Sequence, residues 1–368
     1  MNICIIAHKS LGALINKGDG HIGGIEMQMA QFSKWLADRG HIVHLVTWDY
    51  DFDTDYQYPN LSILKICKQT DGIPGFRFLH PRWTSLASAL RKANSDIYFH
   101  NGAENVTGQI AYWCKRNNKK FVFSAAAATD TIGELPLLNN LRDRTLYRYG
   151  LNSADQIIVQ TNDQRRSLKR DFKLESEVHP MPCNYPVSPQ QCLPPPNQPT
   201  VLWVGRLHPV KRLEWLLDIA KSLTHINFDI VGPKYYGNYS EDLVSEIEKI
   251  DNAKYHGPLS SGDLIKFYRN STCLCCTSES EGFPNTFLEA WSQGLPVIST
   301  LDIDEHFSSG LLGLHGESKQ QLAKHIETLA DSPNARTEIS SNCISYYEKH
   351  HQLDNATMKF ESTLLSLI

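Results

Sequence analysis

The sequence predicts two doubly wound α/β domains with a cleft between the C-terminal edges of their parallel sheets. Three observations predict it. The chain has 368 residues, more than one hydrophobic core usually organises. Short apolar runs alternate with longer amphipathic ones, the pattern of parallel-sheet α/β units. One proline-rich stretch interrupts that alternation, with Pro180, Pro182, Pro186, Pro189, Pro194, Pro195, Pro196 and Pro199; such density suits a linker. Ligands of open α/β sheets bind at strand C-terminal edges, so a site is expected there.

Each element follows from its pattern. Strands are expected at 2–7, 41–47, 61–66, 96–100, 120–124 and 156–160 of the first half, and helices at 25–38, 85–93 and 107–116. The second half repeats the alternation: strands at 200–204, 228–231, 254–256, 272–277 and 297–299, and helices at 213–222, 240–249, 263–270 and 286–293. Helical periodicity returns at 319–329 and from Ala335 to the end. The expected domains are 1–185 and 186–345, followed by a C-terminal helix at 346–368 that could pack back on the first domain.

The composition is that of an ordinary globular chain, 41% hydrophobic and 21% charged. The N-terminal MNICIIAHKS has no basic leader before its apolar run, and no stretch reaches the length of a membrane helix. Nine scattered cysteines, several inside apolar runs, read as reduced and buried. A cytoplasmic chain is therefore expected. Cys273 and Cys276 have C-x-x-C spacing but lie in an expected strand, so core is the preferred reading over zinc or redox chemistry. Net charge is −4, with 22 Lys and Arg against 18 Asp and Glu in residues 1–185. The basic clusters Lys115/Arg116/Lys119/Lys120, Arg142/Arg144/Arg148 and Arg165/Arg166/Lys169/Arg170 read as solvated helix faces. An anionic membrane surface carrying an acceptor is the alternative, and no nucleic acid is expected.

Two segments carry the chemistry. In TSESEGFPNTFLEAWSQGLPVIST (277–300), an apolar strand leads into a polar loop and then a helix that stops at Gly294. Asn285 or Thr286 can cap that helix. Its N–H groups and dipole favour an anion. Glu281 in the loop and Glu289 in the helix can face one pocket; equally, they can simply complement the dipole. VGRLHPVKR (204–212) places Arg206 and Lys211 just past a strand, cations suited to a diphosphate or merely to a surface loop.

Taken together, Gly205–Arg206, Lys211, the E-x7-E of Glu281 and Glu289 within EGFPNTFLEA, and the downstream G-x-P-V-I resemble the retaining family 4 glycosyltransferases of GT-B fold, which have two Rossmann-like domains. The resemblance continues more loosely in Gly23–Gly24–Ile25–Glu26, where that family has a glycine-rich turn, and in Ala154–Thr161. It implies sugar transfer from a nucleotide-diphosphate-sugar co-substrate, with no other cofactor, to a glycan or lipid-linked acceptor in bacterial cell-surface polysaccharide synthesis. It implies that Arg206 and Lys211 bind the diphosphate, Glu281 contacts the sugar, and Glu289 holds the ribose. The backbone of Gly282, Phe283, Pro284, Asn285 and Thr286 would cradle sugar and phosphate, and Gly257, Pro258 and Leu259 would pack the nucleobase. No metal is expected. Asp49, Asp51, Asp53 and Asp55 contain the D-x-D by which glycosyltransferases of another fold hold a cation, but a solvated loop is the preferred reading.

One departure stands out. Many family members carry a His near the transferred sugar, and FVFSAAAATD (121–130) has none. Asp130 is expected as the first side chain beyond the small-residue run able to reach the cleft; a helix-capping role beside a Thr131/Glu134 box is the alternative. His100, Asn101 and Glu104 are acceptor-side candidates. The competing functions are a sugar-nucleotide epimerase or phosphorylase on the same fold, and a nucleotide-sugar-binding protein without turnover.

Overall fold

The computed structural model describes residues 1–15, 23–50, 56–187, 198–235 and 237–368. It divides into two compact units, Met1–Met181 with Ala356–Ile368, and Pro182–Asn355. Residues 188–197, which hold Pro189, Pro194, Pro195 and Pro196 of the expected linker, lie outside the described residues.

The first unit is built on a seven-stranded sheet: β1 Asn2–Ile6, β2 Ile42–Thr47, β3 Leu61–Lys65, β4 Ile97–Asn101, β5 Lys120–Ser124, β6 Gln156–Val159 and β7 Glu177–Val178, in the order 3-2-1-4-5-6-7. Every pairing is parallel, for example Ile3 with Val43 on one side and Ile97 on the other. Helices α1 Leu11–Ile15, α2 Gly24–Asp38, α3 Thr84–Ala93, α4 Val106–Arg116, α5 Leu141–Asn152 and α6 Asn162–Phe172 accompany it. Ile3, Cys4, Ile5 and Ile6 are fully buried. A strand covered on both faces needs such an unbroken apolar run, which is why the sequence signal was strong here.

The second unit repeats the plan with β8 Thr200–Val204, β9 Asn227–Val231, β10 Ala253–Tyr255, β11 Cys273–Cys276, β12 Val297–Ser299 and β13 Gly313–His315, ordered 10-9-8-11-12-13. Its helices are α7 Leu213–Ser222, α8 Asn238–Ile247, α9 Ser261–Asn270, α10 Asn285–Ser292, α11 Lys319–Asp331 and α12 Pro333–His350. Cys273 and Cys276 are buried on β11. Three positions apart on a strand, they project from opposite faces. The described cysteines are all free thiols.

The structure corrects some element boundaries. The helical period expected from Ala335 to the end is two helices, α12 and α13 (Leu353–Leu365), parted at His351 and Gln352. The expected domain boundary at 345 falls inside α12. Helices α5 and α6 were not placed by periodicity and were implied only by reading their basic clusters as helix faces, because LRDRTLYRYGLN buries only Tyr147, Gly150 and Leu151, and NDQRRSLKRDF only Gln164 and Leu168. The Arg clusters within them are met locally: Arg142 pairs with Asp143, Arg166 with Asp163 and Arg170 with Asp171.

From Ala356 onward α13 belongs to the first unit. Phe360 packs edge-on against Phe32 at 4.2 Å and against Phe99 at 5.3 Å between ring centroids. Arg39 and His41 donate to the Glu361 carboxylate at 2.9 and 2.5 Å. Lys359 Nζ donates to the Val178 carbonyl at 2.6 Å. Phe360→Ala should therefore destabilise the first unit by about 3–5 kcal/mol, as expected for a buried aromatic lost from a core. Urea unfolding checks this; an unchanged midpoint would show that α13 adds nothing to that core.

Candidate functional site

In each sheet the strand order reverses once, between β1 and β4 and between β8 and β11. Loops leaving adjacent strands in opposite directions open a crevice at that point. In the second unit, the loop after β8 and the loop after β11 are the two segments singled out from the sequence.

A buried polar seam holds these loops together. Arg212, in the left-handed region at φ 46°, donates from Nε to the Thr277 carbonyl at 2.8 Å and from Nη2 to the Ser278 carbonyl at 3.0 Å. Thr277 Oγ1 donates to the Lys211 carbonyl at 2.6 Å and accepts from Trp203 Nε1 at 3.2 Å. The Glu279 N–H donates to the Val210 carbonyl at 2.8 Å. Arg212 also lies over the Trp215 ring at 4.2 Å. The neighbouring strand end is fixed by close backbone approach: a Cβ on Gly232, at φ +143°, would meet the Gly205 carbonyl oxygen at 1.9 Å. Only glycine fits there.

Within this frame Lys211 Nζ donates to Glu281 Oε1, and Ser278 Oγ donates to the same oxygen at 2.7 Å. Oε2 of Glu281 has no partner among the described residues and can receive a hydroxyl. Arg206, half-exposed, forms no ion pair among the described residues, so its guanidinium is available to an anion.

The loop then enters α10. Its cap position is Pro284, with no side-chain cap, which corrects the expected capping by Asn285 or Thr286. Pro284 has no N–H, so the donors at this helix start are Gly282, Phe283, Asn285 and Thr286. The helix stops as expected, with Gly294 at φ +70°.

Glu289 has a different setting. Tyr268 of α9, itself 1% exposed, donates to Glu289 Oε2 at 2.7 Å. Burial pushes the Glu289 carboxyl up to about 7, and the hydrogen bond from Tyr268 counters this only in part. The two acids of the motif thus have separate partners, a lysine and a serine for Glu281, a tyrosine for Glu289. Nearby, Gly257 sits at φ +70° and its carbonyl accepts from the Gly232 N–H at 2.9 Å. The preceding His256 contacts Asp229 at 2.7 Å and packs on Phe267. Pro258 is exposed and Leu259 half-buried.

The remaining candidates lie in the first unit. Gly23 caps the start of α2, whose first residue is Gly24. His100 is buried and donates from Nδ1 to the Ile6 carbonyl at 3.1 Å, while its Nε2 has no partner. Burial lowers its pKa. Asn101 Oδ1 is also buried without a partner. Burial acts to raise the Glu104 carboxyl, but the nearby His8, His100 and Lys9 outweigh it and hold the group below the usual range. His8 Nδ1 lies 3.7 Å from Glu104.

Asp130 requires a correction. It is 2% exposed, and its Oδ2 accepts from the N–H groups of Ala126 at 2.8 Å and Ala127 at 3.0 Å. Burial raises its pKa, countered by these backbone bonds. The carboxylate closes its own loop rather than reaching outward. The Thr131/Glu134 box does not form either: Thr131 Oγ1 donates back to the Ala128 carbonyl, and the next helix starts at Leu141 with Asn140 as its cap. Of the acidic run, Asp49 faces Lys65 at 3.4 Å, and Asp51, Asp53 and Asp55 lie outside the described residues.

Sequence reasoning passed over Tyr268, Ser278, Arg212 and His8. Ser278 and Arg212 adjoin residues already chosen, and His8 stands just past a parallel strand, a position that favours ligands. Tyr268 gave no signal, since its role depends on a helix remote in sequence.

Glu289 sets a pH dependence. Its folded pKa lies above the ordinary value of 4.5, so the native state holds a proton that the unfolded chain releases. Stability should fall as pH rises from about 4.5 to about 7 and stay lower above that, by on the order of 3 kcal/mol at most. Glu289→Gln keeps an acceptor for Tyr268 and removes the charge. Thermal unfolding across pH should show a flatter curve and a more stable protein at alkaline pH; parallel curves would discount the buried charge.

Comparison with known proteins agrees with this architecture. The model of the glycosyl transferases group 1 matches residues 186–346, and that of Glycosyltransferase Family 4 matches residues 22–184. The GtfA subunit of a UDP-N-acetylglucosamine–peptide N-acetylglucosaminyltransferase from Streptococcus gordonii is 29% identical over 187 residues, 48% of this chain and 35% of that protein. For the first curated relatives the match spans between 35 and 58% of their length. Sucrose-phosphate synthase from Thermosynechococcus elongatus shares the fold at a TM-score of 0.79 and 18% identity, covering 99% of this chain and 98% of that one. Anabaena HepE, solved with UDP and glucose, does so at 0.73 and 17%, covering all of both chains. Two parallel-sheet α/β units, each matched by its own glycosyltransferase model, place the chain among the group 1 and family 4 glycosyltransferases of GT-B fold.

Proposed function

We propose that this glycosyltransferase takes its sugar from a nucleotide-diphosphate sugar held by the second unit, and delivers it with retention to a glycan or lipid-linked glycan. The observation that carries the donor assignment is the conjunction at the β8/β11 crevice. Arg206 lacks an ionic partner among the described residues, Lys211 is held against Glu281, and a helix start without a side-chain cap follows in the same loop. Breaking a glycosyl–phosphate bond puts negative charge on the leaving diphosphate and positive charge on the anomeric carbon. Fixed cations and oriented N–H groups suit the first, and a carboxylate such as Glu281 suits the second. In this proposal they act without a metal ion. Glu289 with Tyr268 holds the ribose hydroxyls. The GtfA subunit and HepE support a uridine nucleotide by their names, and the E-x7-E resemblance supports retention. A role in bacterial cell-surface polysaccharide synthesis rests on the same resemblance.

Arg206 gives the cleaner test, because removing Lys211 also strips Glu281 of its cation. Arg206→Ala should lower kcat/KM by about 10²-fold, the usual cost of losing one transition-state contact, and weaken nucleoside diphosphate binding without shifting the unfolding midpoint. Near-normal kinetics would mean that the diphosphate sits elsewhere. Glu281→Gln should lower kcat while leaving diphosphate affinity largely intact, whereas Glu289→Ala should weaken that affinity. Transfer should also persist in EDTA; collapse on chelation with rescue by magnesium or manganese would overturn metal independence.

A further inference from the structure

The second acid of the E-x7-E motif sits in a cluster unlike that of the first. Glu281 stands against Lys211, whereas Glu289 forms no ion pair among the described residues and accepts from Tyr268 at 2.7 Å. Three more weak acids face it: Cys183, Tyr185 and Tyr347. Burial pushes all three up, and the Glu289 charge adds to the shift. It does the same to Tyr268. Arg269, next to Tyr268 in the chain, turns its Nε to Gln293 Oε1 at 2.9 Å. The cluster is firmly built. Tyr268, 1% exposed, meets the Tyr185 ring edge-on at 6.0 Å. Tyr185 Oη donates to the Ser261 carbonyl at 3.0 Å, and Tyr347 Oη lies 2.8 Å from the carbonyls of both Cys183 and Tyr185.

A carboxyl among weak acids, with no cation against it, favours its neutral form. Glu289 is nevertheless half-buried rather than sealed, so a ligand can reach it. Tyr268 occupies Oε2, and Oε1 has no partner among the described residues. Hydroxyl groups that donate to a carboxyl stabilise its charged form more than its neutral form. A ligand with two adjacent hydroxyls, such as a ribose, would therefore supply what the empty cluster lacks.

We propose that Tyr268 and Glu289 form a proton-coupled ribose clamp: Tyr268 is a positioning residue that holds Oε2, the ribose hydroxyls bind the remaining face of the carboxyl, and its proton passes to solvent as the nucleotide enters. This rests on the reading above in one respect, that Glu289 is the ribose partner. No covalent bond other than that O–H changes. The sign of the coupling follows from the empty site, where the Glu289 carboxyl is pushed up to about 7, by burial above all. A ligand that favours the ionised form lowers that value, so its affinity rises with pH up to about 7 and levels off above it. Below that pH a protonated Glu289 matches glutamine in shape and charge, which makes Glu289→Gln the reference.

Dissociation constants for UDP, or for ADP or GDP where one of these binds more tightly, are measured by calorimetry from about pH 5.5 to about pH 8.5 on wild type, Glu289→Gln and Tyr268→Phe. The terminal phosphate of the nucleotide also titrates, at about 6, but equally for every protein, so ratios are read. Wild type and Glu289→Gln should bind alike at the acid end. The ratio of their affinities should rise in favour of wild type by about tenfold or more toward the alkaline end. The matching 2′,3′-dideoxy nucleotide, which lacks both hydroxyls, should show no such rise. Tyr268→Phe keeps the ring but loses the bond that favours the charged carboxyl, so its rise should move to higher pH; a tyrosine needed only for packing would leave that pH unchanged. A flat ratio would overturn the coupling and leave the donor site standing. So would an equal rise with the dideoxy nucleotide, or a Tyr268→Phe profile like that of wild type. Absence of binding by all three nucleotides at every pH would sink the donor assignment and the clamp with it.

Discussion

The constraint on which the rest depends is the single reversal of strand order in each parallel sheet. Right-handed crossovers on opposite faces carry successive loops away from one another, so two adjacent strand ends are left without a connection between them. A crevice is the geometric result, and the chain must fix its walls with side chains. In the second unit Arg212 and Thr277 supply that fixation through hydrogen bonds to carbonyls of the facing loop. They fix the backbone through bonds in which the side chains of Lys211, Glu281 and Arg206 take no part. In the first unit the fixation is lighter, and His8 and Glu104 meet across the opening.

Four acids show how far environment divides one residue class. Glu281 stands against a lysine, with its side chain mostly buried. Glu289 lies in an apolar setting with one tyrosine for company and holds its proton more tightly than an ordinary carboxylate. Glu104, with a histidine and a lysine beside it, holds its proton less tightly. Asp130 is consumed by its own backbone. Spacing in the sequence could nominate all four but could not rank them, because burial and partners come from elements far away in the chain.

The same distinction explains what was legible. Strands such as β1 and β5, and helices such as α7, announced themselves because burial on both faces or along a broad stripe forces a strong pattern. The E-x7-E segment was legible because its loop, helix and stop signal lie within one stretch. Helices α5 and α6 were hidden by thin apolar stripes, and the break between α12 and α13 lacked the glycine or proline that usually signals one. Asp130 was misjudged because a short polar residue after small ones fits a ligand contact and a self-closing turn equally well. The seam partner Arg212 was overlooked beside Lys211, since neither charge nor spacing tells a cation that binds carbonyls from one that pairs with a carboxylate.

The return of α13 to the first unit has a consequence for how the protein is made. Phe360 and Glu361 complete a core begun by Phe32, Arg39 and His41, yet the ribosome adds them only after all of the second unit. Phe32 and Phe99 therefore lack the cover of Phe360 while the second unit is being made. A product truncated before Ala356 would leave that aromatic surface open to aggregation.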